Sequence, residues 1–186
     1  KTNEQHYQLT WASTRGDGRQ GTDVTAAVLE MDIPTTFAYK GSTGDTLDVR
    51  GELLLPKTVP NARNAASGLL LRKESNSDLR REFTFYAFDL CGEAAVVDDI
   101  MTGQELRETL QTMGFAVPYP VASTALHLST NQTTDISELL NYHSNLLQQR
   151  ETFPHDMDGA VYKVGDMALR TTLGTTTRAP RWALAH

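Results

Sequence analysis

Leu9 and Trp11 alternate with Thr10 and Ala12 over residues 8–13, a pattern that predicts a half-buried strand. Residues 14–20 follow as a Gly-Asp-Gly turn. Asp23 is placed to cap a short helix over 24–30, which ends on the approach to Pro34. A β-like run over 47–55 is ended by Pro56. Asn61 offers an N-cap to a helix over 61–72, and residues 83–90 make an aromatic-rich strand. Thr102 and Glu105 form a capping box for a helix that runs to Met113 and stops at Gly114. A second long helix over 135–150 lines up Ile136, Leu139, Leu140, His143, Leu146 and Leu147 on one face, and that face is expected to be core. A short strand over 160–164, a helix over 166–173 closed by Gly174, and a strand-like run from Arg181 complete the chain. Helices and strands without a βαβ rhythm, and without repeats or linkers, predict an α+β fold built on antiparallel sheets with flanking helices.

Composition narrows this picture only a little. The 186 residues suffice for one domain with a real core and are marginal for two. Cys91 is the single cysteine, which excludes an internal disulfide framework or a multi-cysteine zinc site and points to a cytoplasmic setting. No apolar run approaches the ~20 residues needed to span a bilayer. The polar start at Lys1 has no apolar stretch behind it, so neither a membrane anchor nor a signal peptide is expected. A net charge of −6 argues against a protein that coats nucleic acid, yet it is compatible with one focused cationic pocket for phosphate. Both ends of the chain read as interruptions of a larger protein.

Charge gathers beside glycine in Thr14-Arg-Gly-Asp-Gly18, Val49-Arg-Gly-Glu52 and Asp158-Gly-Ala-Val-Tyr-Lys163. Glycine lets a backbone or ligand approach closely at such places. Period two puts Glu52 on the face of Arg50, and Lys163 on the face of Val161. A lysine on an inward face is costly unless an anion meets it. Asn61-Ala-Arg-Asn-Ala-Ala-Ser-Gly68 sets Arg63 in the first turn of a helix. Taken singly, each of these segments is an ordinary turn or surface pair.

In this order and spacing, however, the four segments resemble successive motifs of NAD-dependent DNA ligases. Residues 83–90, Met157 to Val164, Leu173-Gly174 and the run Arg178-Ala-Pro-Arg-Trp-Ala183 extend the resemblance over nearly the whole chain. It implies a nucleotidyltransferase (ATP-grasp-like) adenylation domain that uses NAD and Mg²⁺. In the family, a lysine attacks the α-phosphate of NAD, expels nicotinamide mononucleotide and holds AMP as a lysyl-AMP intermediate. AMP then passes to a DNA 5′-phosphate, and the neighbouring 3′-hydroxyl displaces it to seal a nick in double-stranded DNA during replication and repair. By the resemblance, Arg15 lines the NAD site, Glu52 contacts the adenosine portion, and Lys163 stands beside the reacting phosphate. Phe88 occupies the place of an aromatic residue, usually tyrosine, that stacks on adenine. Arg63, Arg150 and Asp158 match further charged positions around the pocket. Fixed cations suit a transition state in which negative charge spreads over phosphorus.

The resemblance also has gaps. The family's nucleophile lies in a Lys-x-Asp-Gly motif that nothing between Lys1 and Ser13 matches, and a Lys-Phe-Pro motif would follow His186. Residues 1–186 therefore read as an adenylation-domain fragment, and self-adenylation by this chain alone is expected to fail. A short connection between Glu52 and Asn61 implies a compact, divergent member. Leu71 stands where the family has arginine, and Arg72 is turned ~100° away on a helix. The rest of the ligase is expected as a continuous or separate chain. Alternatives are a nucleotide- or DNA-binding subunit of a split ligase, an ATP-dependent or capping-type nucleotidyltransferase, and a structural remnant. No protein-built metal site is predicted: His155, Asp156 and Asp158 read as solvated loop residues, His143 as a core-edge histidine, and Cys91 as a small buried filler.

Overall fold

The structure, a computed structural model, describes residues 4–17, 20–40, 46–72, 77–92, 100–119, 136–177 and 179–186. Lys1, Gly18, Asp135 and Arg178, which figure in the sequence reading, lie outside the described residues.

β1 (Gln5–Gln8) pairs antiparallel with β2 (Thr36–Tyr39), and α1 (Thr25–Val28) lies between them in the chain. The first strand therefore sits earlier than the alternation over 8–13 predicts. Past Gln8 the ladder gives out, Ser13 keeps only an isolated bridge to Asp23, and Trp11 is left 61% exposed. Alternation marks which positions could share a face, but a partner strand decides which residues pair. The backbone of Ala12 is instead held by Val24 N–H at 2.9 Å and by the Thr25 hydroxyl. Asp23 is not the expected cap: the N-cap is Val24 with no side-chain capping bond, and Asp23 stands one residue earlier, its Oδ1 accepting from Thr25 N at 2.9 Å and from the Thr25 hydroxyl at 2.7 Å.

β3 (Leu47–Leu54) and β4 (Thr84–Gly92) form the main antiparallel hairpin. Between them come α2 (Ala62–Leu71) and the short α3 (Ser77–Arg80). Asn61 does stand at the head of α2, but in a left-handed conformation (φ 52°) and with no side-chain capping bond. The expected capping box of α4 (Gly103–Thr112) is present in both directions: Thr102 Oγ1 accepts from Glu105 N at 3.1 Å, and Glu105 Oε2 accepts from Thr102 N at 3.0 Å. Gly114 ends that helix at φ 93°, a left-handed position that glycine occupies without a Cβ penalty.

α5 (Ser137–Gln148) continues into a 3₁₀ turn, Arg150–Thr152. Its leucine face is not core as expected, because only Leu146 is buried while Ile136, Leu140 and Leu147 are exposed. β5 (Val161–Lys163) pairs antiparallel with β6 (Ala183–Ala185). α6 (Met167–Leu173) lies between them, capped by Asp166 and closed by Gly174. The α+β reading with antiparallel ladders holds.

Two apolar clusters meet at the hairpin. Ala87 and Leu90 of β4 join Leu106 and Leu110 of α4 in one, while Phe83 joins Leu55, Ala62 and Leu69 in the other. Burying these side chains on one side of the hairpin leaves its other side free to carry charge. Arg80, 2% exposed, braces the second cluster through an ion pair to Glu30 at 2.9 Å and bonds to the Leu69 and Arg72 carbonyls.

Candidate functional site

Along β3, Asp48, Arg50 and Glu52 are exposed and alternate with the half-buried Leu47, Val49, Gly51 and Leu53, so Arg50 and Glu52 share a face as period two requires. Across the ladder Glu52 stands opposite Tyr86, and Arg50 opposite Asp89. The register shifts between Arg50 and Gly51, where Gly51 already pairs with Ala87, so Phe88 is the extra residue of a bulge. Bulges re-aim side chains. Here the bulge leaves a phenylalanine 37% exposed between Ala87 and Leu90, which are fully buried.

Lys163 projects over that ring, its Nζ 4.9 Å from the Phe88 centroid. Lys163 and Val161 do share a face, but the face is open rather than inward as the sequence reading supposed: both are exposed. The inward residue of β5 is Tyr162, half-buried, with its hydroxyl reaching the Leu139 carbonyl of α5 at 3.5 Å. Although Lys163 as a whole is exposed, burial of its ammonium is the main cause that holds it below the ordinary lysine value. The Arg170 charge acts in the same direction, and Asp89 opposes both.

The loop from Arg150 to Asp158 is fastened to the hairpin at several points. Lys57 donates to the Arg150 carbonyl at 2.8 Å and, from its backbone, to the Pro154 carbonyl at 2.8 Å. The Tyr86 hydroxyl lies 3.4 Å from His155 Nδ1, with the two rings edge to face at 5.4 Å. Burial holds the His155 imidazole below its ordinary 6.5. Arg63, from the first turn of α2, is ion-paired with Asp158. Its pKa is raised, first by the hydrogen bond to Asp158 and then by its charge, with weaker help from Asp156 and Glu52.

The predicted residues come together in two groups: Phe88 with Lys163, and Arg63 with Asp158, the charge of Glu52 also acting on Arg63. Arg15, on the turn after Thr14, and Arg150 are exposed, and among the described residues their side chains form no hydrogen bond or ion pair with those five. Sequence reasoning missed Tyr86, Asp89, His155 and Arg170. His155 was assigned to solvent, but its partner Tyr86 is 69 positions away in the chain. Cys91 is half-buried as a filler should be, its thiol pushed up to about 11 by burial and then by Asp89. A cleft of about 380 Å³ beside Pro34, Arg81 and Phe85, and one of about 240 Å³ beside Tyr39 and Lys40, contain none of the predicted residues.

The family model of the NAD-dependent DNA ligase adenylation domain matches residues 56–186. The chain belongs to that family. It is similar to the DNA ligase of Halorhodospira halophila, with 34% identity over 97% of this chain and 26% of the relative. The DNA ligase of Xanthobacter autotrophicus is 35% identical over 97% of the chain and 26% of its own length. That of Bartonella henselae is 31% identical over 96% and 26%. The chain therefore spans about a quarter of the length of the curated relatives it matches. No helix among the described residues is long and apolar enough to cross a membrane.

Proposed function

We propose that residues 1–186 are the greater part of the nucleotide-binding domain of an NAD-dependent DNA ligase, with the nucleotidyltransferase (ATP-grasp-like) fold of that family. The parent protein takes AMP from NAD and uses it to seal nicks that carry a 5′-phosphate and a 3′-hydroxyl in double-stranded DNA. A cytoplasmic location accords with that substrate. The observation that carries this reading is the stacking of Lys163 over Phe88, supported by the Arg63–Asp158 pair.

An exposed aromatic ring at the bulge offers a π-face for adenine. Glu52, a carboxylate on the same face, accepts hydrogen bonds from ribose hydroxyls. Lys163, displaced from the ring by the base, is then a cation for the α-phosphate, where negative charge builds as the phosphoryl bond is broken. Asp158 holds the Arg63 guanidinium, a planar donor suited to phosphate or to the ribose. By the family resemblance, Arg15 lines the NAD site and Arg150 is a further charged position around it. The described residues hold no group of three or more His, Cys, Asp or Glu side chains placed for a metal. Mg²⁺ would enter the reaction with the nucleotide's phosphates.

Intact-mass spectrometry of the parent protein after incubation with NAD or ATP, each with Mg²⁺, tests this. A gain of one AMP from NAD alone is expected, and Lys163→Met should cripple it. A gain from ATP alone overturns the NAD assignment. No gain from either favours a binding subunit whose lysine comes from another chain.

A further inference from the structure

Arg170 is 7% exposed, yet no carboxylate among the described residues is ion-paired with it. Its Nε donates to the Val164 carbonyl at 2.5 Å, and its guanidinium lies over the Trp182 ring at 4.7 Å from the centroid. Val164 N–H in turn donates to the Trp182 carbonyl at 2.9 Å. The side chain thus clamps the end of β5 one residue beyond Lys163, against β6 and the start of α4. Space there is tight, since a Cβ on Gly103 would come within 2.8 Å of Arg170 Nη2. A buried guanidinium without an ion-paired partner is costly to retain for packing alone, because an apolar side chain would fill the same volume without desolvating a charge.

Beyond burial, the charges that act on the Lys163 ammonium are Arg170 of α6, which disfavours its proton, and Asp89 of β4, which favours it. Asp89 is partly engaged elsewhere, accepting from Leu90 N at 3.1 Å and from the Cys91 thiol. Lys163, over Phe88, and Arg170, over Trp182, thus lie in the field of one carboxylate that ion-pairs with neither.

We propose that Arg170 is a positioning residue for Lys163: it fixes the end of β5 and keeps the Phe88 face short of negative charge, so that a nucleotide phosphate supplies the anion that the two cations lack. That the anion is a nucleotide phosphate rests on the proposed function; the coupling of Arg170 to Lys163 does not. The coupling has a direct physical consequence. Removing a like charge beside an ammonium lets it hold its proton to higher pH.

The test is an NMR titration of the chain with isotope-labelled lysine side chains, with Lys163 assigned by its loss in Lys163→Arg. Lys163 should titrate below the ordinary lysine value. Arg170→Gln, which keeps a donor for the Val164 carbonyl but no charge, should move the Lys163 midpoint upward. Arg170→Lys should leave it near the parent value. A Lys163 midpoint unmoved in a folded Arg170→Gln chain overturns the proposal. Where Arg170→Gln does not fold, Gly103→Ala displaces the guanidinium without removing it, and an unmoved midpoint there overturns it equally. AMP added to the parent chain should raise the Lys163 midpoint. If AMP has no effect while Arg170→Gln still does, the nucleotide assignment fails and the coupling stands.

Discussion

The Lys163 ammonium lies 4.9 Å from the centre of the Phe88 ring, although 75 positions of chain separate the two. A cation held over an aromatic face is stabilised by the ring's negative π-cloud. Among the described residues of β3 and β4 this ring is the only exposed large apolar side chain. Adenine stacking on this ring would take the ammonium's place, because van der Waals contact at roughly 3.5–4.0 Å on each side leaves no room for a base between them, and the lysine would swing out to the phosphate.

Phe88→Ala should therefore weaken AMP binding by the stacking increment of about 1–3 kcal/mol, roughly 5- to 150-fold. Phe88→Tyr should bind like the parent, because the π-face is retained. Titration calorimetry with AMP checks both, and equal affinity for the alanine variant would remove Phe88 from the site.

The Arg63–Asp158 pair is solvent-exposed, with side chains 73% and 70% accessible. Exposed ion pairs contribute little to stability. Asp158→Asn should therefore leave the melting temperature close to the parent value while adenylation of the parent ligase falls sharply. A large drop in melting temperature with normal adenylation would make the pair structural.

His155 supplies a pH dependence. Burial lowers its folded-state pKa from 6.5, so between that value and the folded one the unfolded chain binds the proton more readily. Its contribution to stability is complete above about pH 6.5 and declines as pH falls below it. Urea midpoints collected on either side of that value should show the decline in the parent chain and a flatter profile in His155→Phe. Identical slopes would show that His155 is not the group responsible.

Gly51 marks the bulge. A Cβ there would lie 2.5 Å from the Tyr86 carbonyl oxygen and as close to the Phe85 ring, which packs edge-on against Phe115. Neither neighbour is a loose side-chain end, so Gly51→Ala should cost roughly 1–3 kcal/mol, read as a lower urea midpoint. It should also weaken AMP binding by disturbing the register that exposes Phe88. Parent-like stability would mean that the hairpin repacks freely.

Local chemistry was legible wherever a few consecutive residues complete their own hydrogen bonds. The Thr102–Glu105 box, the Asp166 cap, and the stops at Gly114 and Gly174 all satisfy backbone groups within a turn or so, and each stands where the pattern places it. The shared face of Arg50 and Glu52 follows equally from the period of a strand. The leucine stripe of α5 shows where such reasoning stops. Amphipathic spacing says that residues lie on one side of a helix, not what covers that side, and only Leu146 is buried.

The sequence by itself determined the antiparallel α+β character, most helix ends, the family, and the candidate residues that the motifs carry, because those depend on short-range bonding and residue order. The tertiary structure alone decided which face of β5 is open, that Phe88 rides on a bulge, that His155 meets Tyr86, and that a buried Arg170 stands behind Lys163. Each of these is a contact between segments far apart in the chain, set by ladder register and packing, and no local pattern encodes that choice.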